Sequence, residues 1–561
     1  MAVDPREFFY LHALRNAVAH NSVPRAGPVL GSLMGAHPEF KPQARELSAI
    51  LQEILKEIEG MSPEERRQKL EEMAPELLEK KEKKKRDGGL RPLDHVGPEG
   101  VVMRFAPNPS GPLHLGHARA SFLNDYYVRE YGGKYILRIE DTDPKRVNEE
   151  NYQLLLDDIE WLGLGISDIV YQSDRLDIYY EYCEKLIRIG GAYVCTCDAE
   201  VFREKKNARV ACPCREQDPE ENLRLWKGML DGDYAEGMIT VRVRTDISHP
   251  DPAMRDYSIF RIVDSPPHPR CDARVYPLMN FSVAVDDHLL GMTHVIRGKD
   301  HIANTRRQQF IYEYFGWEMP EYFHYGRMSI EGVVLSTSAM KEGIARGTYT
   351  GWDDIHLGTL KAIARRGFKA EAVRNAMIDI GIGQTDISFS WENLFAANKA
   401  LVDPVAPRYF FVPEPVSCTI EGAPDLVATP CLNPNERAAG CRHLPFTGTL
   451  YAPSEEIGNP GMVRFKDLFN VRIEYNGETP VFVYAGSSLE EAREERARII
   501  QWLPKDHAVQ CTLHTPEGTI NGLCEPGVCN EHDRVIQFER VGFARVDEVS
   551  EHHVSAYFAH R

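Results

Sequence analysis

The sequence predicts a multidomain α/β plus all-β chain, and three observations carry that prediction. The stretch from Val101 to Leu123, VVMRFAPNPSGPLHLGHARASFL, runs as an apolar strand, breaks at Pro107, Pro109, Gly111 and Pro112, and resumes as a helix from Leu115. At 561 residues the chain outgrows one hydrophobic core and should divide into roughly three to five domains. Beyond about residue 400 the pattern changes to short β runs separated by Pro, Gly and Asn.

Composition sets the class. Hydrophobic residues make up 43% of the chain and charged residues 27%, as in an ordinary soluble globular protein. No apolar run reaches about 18 residues, and no basic segment followed by an apolar one opens the chain. The reading therefore expects no membrane span and no secretory leader, and the cytoplasm as compartment. Twelve cysteines over this length do not make a disulfide scaffold, and Cys-x-Cys pairs in such a protein point to metal or to chance. The net charge of −18 weighs mildly against a nucleic-acid partner, because phosphate contacts need Lys and Arg. An acidic protein with one basic face would still receive a polyanion, and would resist non-specific adhesion.

Residues 1–95 read as a helical extension. Leu47, Ile50, Leu51, Ile54, Leu55 and Ile58 recur at helical spacing, and Ser62-Pro63-Glu64-Glu65 reads as a capped helix start. The basic run Lys80 to Arg86 suits a solvated linker or an RNA contact, and the Asp-Gly-Gly after it favours the linker.

The strand–turn–helix at 101–123 places its turn at the carboxyl edge of a sheet, where helix N–H groups and the positive dipole end attract an anion. His114 and His117 stand three apart at the helix start, so both rings can donate to phosphate oxygens, and Gly116 leaves room for a flat ring. The same spacing also suits half a metal site or an incidental pair. Taken whole, Arg104 to His117 (RFAPNPSGPLHLGH) resembles the first signature of class I aminoacyl-tRNA synthetases, and more narrowly the glutamyl/glutaminyl branch. The resemblance implies a Rossmann-type catalytic domain in which His114 and His117 stabilise ATP phosphates while an amino-acid carboxylate attacks the α-phosphate.

The next strand, Lys134 to Ile139, ends in Glu140, Asp141 and Asp143. Carboxylates there could hold an ammonium group or a ribose hydroxyl, or simply form a surface turn. Arg138 to Asp143 (RIEDTD) matches a second hallmark of the branch, which implies that Glu140 holds the substrate α-amino group. Farther on, Cys195-Thr-Cys197 and Cys212-Pro-Cys214 frame fourteen residues rich in Arg and Lys. Four thiolates from two short turns suit a tetrahedral structural zinc, the alternative being four ordinary thiols. Archaeal-type glutamyl-tRNA synthetases, which this stretch resembles, carry such cysteines in an inserted domain that receives the tRNA acceptor end.

A second half of the nucleotide fold is expected from about Tyr276, with Val283 to Gly291 and Thr293 to His301 read together as a β-rich segment. Arg297 follows the buried run Val295-Ile296, and a buried Arg is costly unless paired, by a ligand carboxylate or by Asp286 or Asp287. The resemblance makes Arg297 the reader of the substrate side chain. Bidentate Arg–carboxylate geometry cannot be satisfied by an amide, so this residue favours glutamate over glutamine. Arg104 and Ala106 complete the implied amino-acid site, and Asn108 and Gly116 join the nucleotide set. Met279 falls where an aromatic residue is expected.

One departure stands out. The archaeal second signature reads Leu-Ser-Thr-Ser-Lys, but Leu335-Ser-Thr-Ser338 is followed by Ala339. Lys341 becomes the expected catalytic substitute, with Ser336 and Ser338 as hydroxyl donors. Asp353 to about Asn398 reads as helical, and the later runs, including Tyr409 to Val412, Val463 to Phe465, Val481 to Tyr484, Val509 to Leu513 and Ile536 to Phe538, suggest β-barrels. The closing Gln537 to Arg545 resembles the last anticodon-reading barrel of the glutaminyl and archaeal glutamyl enzymes.

The domains expected are a helical extension (1–95), a first Rossmann half (96–191), an inserted acceptor-end domain (192–270), a second half (271–345), a helical connection (346–400) and a β-barrel anticodon-binding part (401–561). The resemblance implies a glutamate–tRNA ligase using ATP with Mg2+, L-glutamate and tRNA(Glu), with tRNA(Gln) as a further candidate, and activation that needs tRNA bound first. The sequence leaves the oligomeric state open, with a monomer favoured. The alternatives are a glutamine-specific enzyme of the same fold and a catalytically silent tRNA-binding homologue.

Overall fold

The computed structural model describes residues 4–20, 26, 29–30, 33, 40, 43–74 and 90–561. The basic run from Lys80 to Arg86 lies outside them. Two compact units divide between Gly89 and Leu90, earlier than the expected 95/96 boundary, because Leu90, Leu93 and Val96 pack with Val101 and Met103 of the second unit.

In the first unit, α1 (Pro5–His20), α2 (Ala44–Glu59) and α3 (Pro63–Met73) enclose a small core. The expected apolar stripe of α2 supplies Leu47, Leu51, Ile54 and Ile58, which meet Phe9, Ala13, Leu14 and Leu70. Ser62 caps α3 reciprocally, Glu65 N donating to Ser62 Oγ at 3.2 Å and Ser62 N donating to Glu65 Oε2 at 2.8 Å.

The second unit opens with β1 (Val101–Phe105), α4 (Leu115–Tyr131), β2 (Gly133–Ile139), α5 (Glu149–Leu162) and β3 (Asp168–Tyr171). Their strands are parallel in the order β1-β2-β3. The apolar residues of β2 are buried because helices cover a parallel sheet on both faces. Gly133, at φ +110°, is required where the ladder begins, since a Cβ there would sit 2.1 Å from Val101 O.

After α6 (Leu176–Arg188) the chain leaves this sheet for an antiparallel one, β4 (Ala192–Cys195), β5 (Thr240–Val243), β6 (Ser258–Ile262) and β7 (Val275–Pro277), flanked by α7 (Ala199–Asn207) and α8 (Pro219–Asp231). Tyr276, expected to start the second nucleotide half, instead pairs with Arg261 in β6, so the insertion runs through β7. The span Val283 to Gly291 is not β-rich. It is mostly α9 (Met279–Leu289), whose Phe281, Ala284 and Val285 bury into the insertion's core.

The chain then returns through β8 (His294–Gly298), α10 (Ile302–Phe315) and β9 (Glu321–Tyr325), with β8 and β9 parallel. Thr293 N donates to Val102 O at 3.0 Å, which sets β8 beside β1. The strands therefore succeed one another as β3, β2, β1, β8, β9, with the direction of progression reversing between β1 and β8. Such a reversal opens a crevice at the carboxyl ends of the two strands.

Next come β10 (Met328–Ile330), α11 (Thr337–Ala345), α12 (Leu360–Arg365), α13 (Ala370–Ile380), β11 (Ile387–Phe389) and α14 (Trp391–Val402). The expected all-helical connection is interrupted, because β11 pairs in parallel with β10. Beyond it lie two barrel-like seven-stranded sheets. Phe410, Val463, Phe465, Phe469 and Trp502 centre one core, and Phe411, Leu513, Ile536 and Phe538 the other. No described helix is long and apolar enough to cross a membrane.

Candidate active site

A cavity of about 310 Å3 opens in the crevice between β1 and β8, lined by Arg104, Ala106, Asn108, His117, Glu140, Arg297, Met279, His301 and Tyr325 among others. Six of the residues singled out by sequence thus share one space, and Met279 occupies its place without being aromatic.

Its electrostatics follow from burial. Arg138 is fully buried, donating to Asp287 Oδ1 at 2.5 Å and to Glu140 Oε1 at 2.9 Å. Arg104 reaches the same Asp287 oxygen at 3.3 Å. Burial alone would push the Asp287 carboxyl up, but the charges of Arg104, Arg138 and Arg297 hold it below its ordinary value. Asp286 is taken by Arg175 at 2.8 Å, Tyr179 at 2.7 Å and Gln172 at 2.9 Å.

The two carboxylates that could have paired Arg297 are therefore engaged elsewhere. Arg297 donates instead to the uncharged Thr305 and Gln308, and its Nε has no partner. Burial, then repulsion from Arg104, pushes its pKa down to about 10. Arg104, Arg138 and Arg297 against Asp287 and Glu140 leave one positive charge unbalanced, which an anionic ligand would neutralise.

The histidines are arranged by their own backbone. His114 is the N-cap of α4, and its ring stacks on that of His117 with centroids 3.8 Å apart. Gly116 N donates to His114 Nδ1 at 3.1 Å, and His114 N donates to His117 Nδ1 at 3.3 Å. With both Nδ1 atoms accepting, each neutral imidazole carries its proton on Nε2 and presents it as a donor. Burial pushes the His114 pKa down to about 4 and that of His117 well below its ordinary value. A Cβ at Gly116 would lie 2.8 Å from His114 Cε1, so the room it leaves is used by that ring. His117 lines the cavity, with His114 stacked on it.

Of the three acids after β2, only Glu140 lines the cavity. Asp141 is buried and accepts from Tyr152 and Ser173, and Asp143 pairs with Arg261 at 2.7 Å. Both are structural. Asn108 Nδ2 donates to Glu140 O at 2.7 Å, tying the signature turn to this acid's backbone.

The second-signature residues do not line this cavity. Ser336 caps α11 by accepting from Ala339 N at 3.4 Å, and Ser338 and Lys341 are exposed. The loop nevertheless adjoins the first signature, since a Cβ at Gly111 would lie 3.0 Å from Thr337 Cγ2. Sequence reasoning assigned no role to Arg138, Thr305 or Gln308, and named Asp287 only as an alternative partner for Arg297, whereas it pairs with Arg104 and Arg138. Buried charge in β2 and α9 was visible, but its partners are brought together only by the fold.

In the inserted sheet, the ligand atoms of Cys195, Cys197, Cys212 and Cys214 lie within 4.8 Å of one another. The Cys195–Cys212 and Cys197–Cys214 sulfurs are 4.0 and 3.7 Å apart. Zinc–sulfur bonds of about 2.3 Å in a tetrahedron give edges of about 3.8 Å. The donor set fits a closed, structural metal.

The family model described as "tRNA synthetases class I (E and Q), catalytic domain" matches residues 100–404, and two anticodon-binding domain models of the same class match 406–483 and 499–547. Over its full length the chain is 62% identical to the glutamate–tRNA ligase of Methanoculleus marisnigri, covering 100% of both chains. It is 60% identical to that of Methanocorpusculum labreanum, covering 100% of this chain and 99% of the relative. To the ligase of Methanocaldococcus jannaschii it is 48% identical, covering 98% and 99%. Signature, cavity and full-length similarity together place the chain in the class I tRNA synthetases of the glutamate and glutamine branch, and within them in the glutamate–tRNA ligase family.

Proposed function

We propose that the chain activates L-glutamate with ATP and transfers it to the 3′-terminal adenosine of tRNA(Glu). The observation that carries this reading is a cavity where Arg297, its two potential acidic partners engaged elsewhere, faces the same space as Glu140 and His117. Arg297 pairs the substrate side-chain carboxylate and Glu140 takes the α-ammonium, with Arg104 and Ala106 as the wall between them. This leaves the α-carboxylate directed toward the turn that bears the histidines. One of its oxygens bonds to the α-phosphorus of ATP as the bond to pyrophosphate breaks. The Nε2–H donors of His114 and His117 meet the phosphate oxygens, Asn108 and Gly116 seat the nucleotide, and Lys341 with Ser336 and Ser338 follows the departing pyrophosphate. A ribose hydroxyl of the tRNA then displaces AMP from the carbonyl. Positioning and charge stabilisation carry both steps, and Mg2+ enters with ATP as part of the substrate.

The four cysteines would hold zinc, bracing the insertion that receives the acceptor end. The two C-terminal sheets are read as binding the anticodon, tRNA(Gln) as a second candidate substrate, the active chain as a monomer, and the cytoplasm as its compartment.

The test is pyrophosphate exchange with glutamate and with glutamine in the presence of tRNA, followed by charging of purified tRNA(Glu) and tRNA(Gln). Exchange and charging with glutamate are expected. Exchange with glutamine alone would favour the glutamine-specific alternative, and tRNA binding without exchange the silent homologue.

A further inference from the structure

The turn from Leu113 to Leu115 is held from two directions. The loop preceding α12 takes it from one side, Leu115 N donating to Gly358 O at 3.1 Å and Leu360 N donating to Leu113 O at 2.9 Å. From the other side comes α5, whose Asp158 accepts from Leu113 N through Oδ2 at 2.6 Å.

Asp158 is 2% exposed, and the chemistry assigned above does not use it. It lines a second cavity, of about 630 Å3, between α5, α12 and the C-terminal barrel. The charged groups facing that space are Asp157 on its own helix, Lys361 and Arg365 on α12, Asp353 and Lys369 beside α12, and Asp533, Arg545 and Asp547 from the barrel. These cations are largely committed. Lys361 bonds Asp157 at 3.1 Å, Arg365 bonds Asp353 at 2.9 Å and Asp547 at 3.0 Å, and Arg545 pairs with Asp533 and Asp547. Among the described residues no cation lies within ion-pair distance of Asp158, so the Leu113 peptide is what its carboxylate holds.

We infer that Asp158 is a positioning residue that, by holding the Leu113 amide, sets the depth at which the His114–His117 pair meets the nucleotide phosphates. The link is short. His114 follows Leu113 directly, and its own N–H donates to His117 Nδ1. The inference rests on the phosphate-binding reading of these two rings.

An ionised carboxylate accepts a peptide N–H more strongly than a protonated one. Burial raises the Asp158 pKa to about 7, opposed by the Leu113 amide and Lys361 and reinforced by Asp157. The hold is therefore full above this value and weakens as pH falls through it.

The test uses the full-length chain with tRNA bound, reading glutamate-dependent pyrophosphate exchange from pH 6 to 9 for Asp158→Ala, Asp158→Asn and His117→Ala. Asp158→Ala is expected to lower kcat about tenfold or more while KM for glutamate stays within about twofold. Asp158→Asn, which keeps a carbonyl acceptor but cannot ionise, should recover most of that loss and flatten the acid limb near pH 7. A merely structural role would move the melting temperature and leave the Asp158→Asn profile parallel to the parent's. Undiminished kcat in Asp158→Ala, or an unchanged acid limb in Asp158→Asn, overturns the inference if His117→Ala has lost activity. Full activity in His117→Ala overturns the reading of the rings, and this inference with it. Should Asp158→Ala fail to fold, the pH profile of Asp158→Asn decides.

Discussion

The guanidinium of Arg297 donates to Oε1 of Gln308 at 3.0 Å, an uncharged partner for a buried cation. The amide orients the side chain without neutralising it, and Tyr322, its ring centroid 4.6 Å away, supports one face. A site so built discriminates by charge, because a neutral amide ligand would leave the cation unpaired and set donor against donor.

Replacing Arg297→Gln should reduce kcat/KM for glutamate by about 100-fold or more, the scale of a charge-assisted hydrogen-bonded pair. The ATP KM should hardly change. Replacing Gln308→Met should raise the glutamate KM by about tenfold through lost orientation alone. Steady-state pyrophosphate exchange with each substrate varied in turn separates the two.

The histidine pair predicts a proton inventory. Both rings are neutral near pH 6 because burial lowers their pKa values, to about 4 for His114. A polyphosphate raises them, so nucleotide binding at pH 6 should take up protons. Calorimetry of ATP binding in buffers of different ionisation enthalpy reads this directly, and zero uptake would mean that the rings stay neutral and meet the phosphates through Nε2–H alone. The same shifts bear on stability. The unfolded chain binds protons here below about 6.5 while the fold resists them, so this contribution is full above that value and is lost as pH falls toward about 4.

Metal removal should separate the two half-reactions. Chelation, or Cys197→Ser, is expected to lower the melting temperature and slow transfer to tRNA several-fold. Pyrophosphate exchange, located in the other sheet, should fall less. One zinc per chain by elemental analysis is expected, and a metal-free chain of unchanged stability would remove the assignment.

Lys341 is exposed on α11, and the proposed reaction assigns its flexible stem to the departing pyrophosphate. Lys341→Ala should slow adenylate formation by about tenfold to 100-fold while leaving tRNA affinity intact, as for loss of one cationic contact to a transferring phosphate. Adding Ala339→Lys to Lys341→Ala should partly restore the rate, since it returns a cation to the signature position. An unaltered rate in Lys341→Ala would mean that another group meets the leaving group.

By itself the sequence determined the elements whose causes are local. The proline break after β1, the apolar stripe of α2, the Ser62–Glu65 cap, the Arg-Ile-Glu-Asp-Thr-Asp string and the paired cysteines each act within a few residues, so their chemistry could be read in one dimension. The tertiary structure decided which charges remain available. Glu140 lines the cavity while Asp141, its neighbour, is consumed by Tyr152 and Ser173. Arg297 is left open because Arg104, Arg138 and Arg175 claim Asp287 and Asp286. Val283 to Gly291, expected within a β-rich segment, is mostly helix because its apolar residues meet the insertion's core rather than a sheet neighbour. Pairing of buried charge depends on partners more than a hundred residues away, as for Arg138 and Asp287, and no local pattern encodes which of several candidates will arrive.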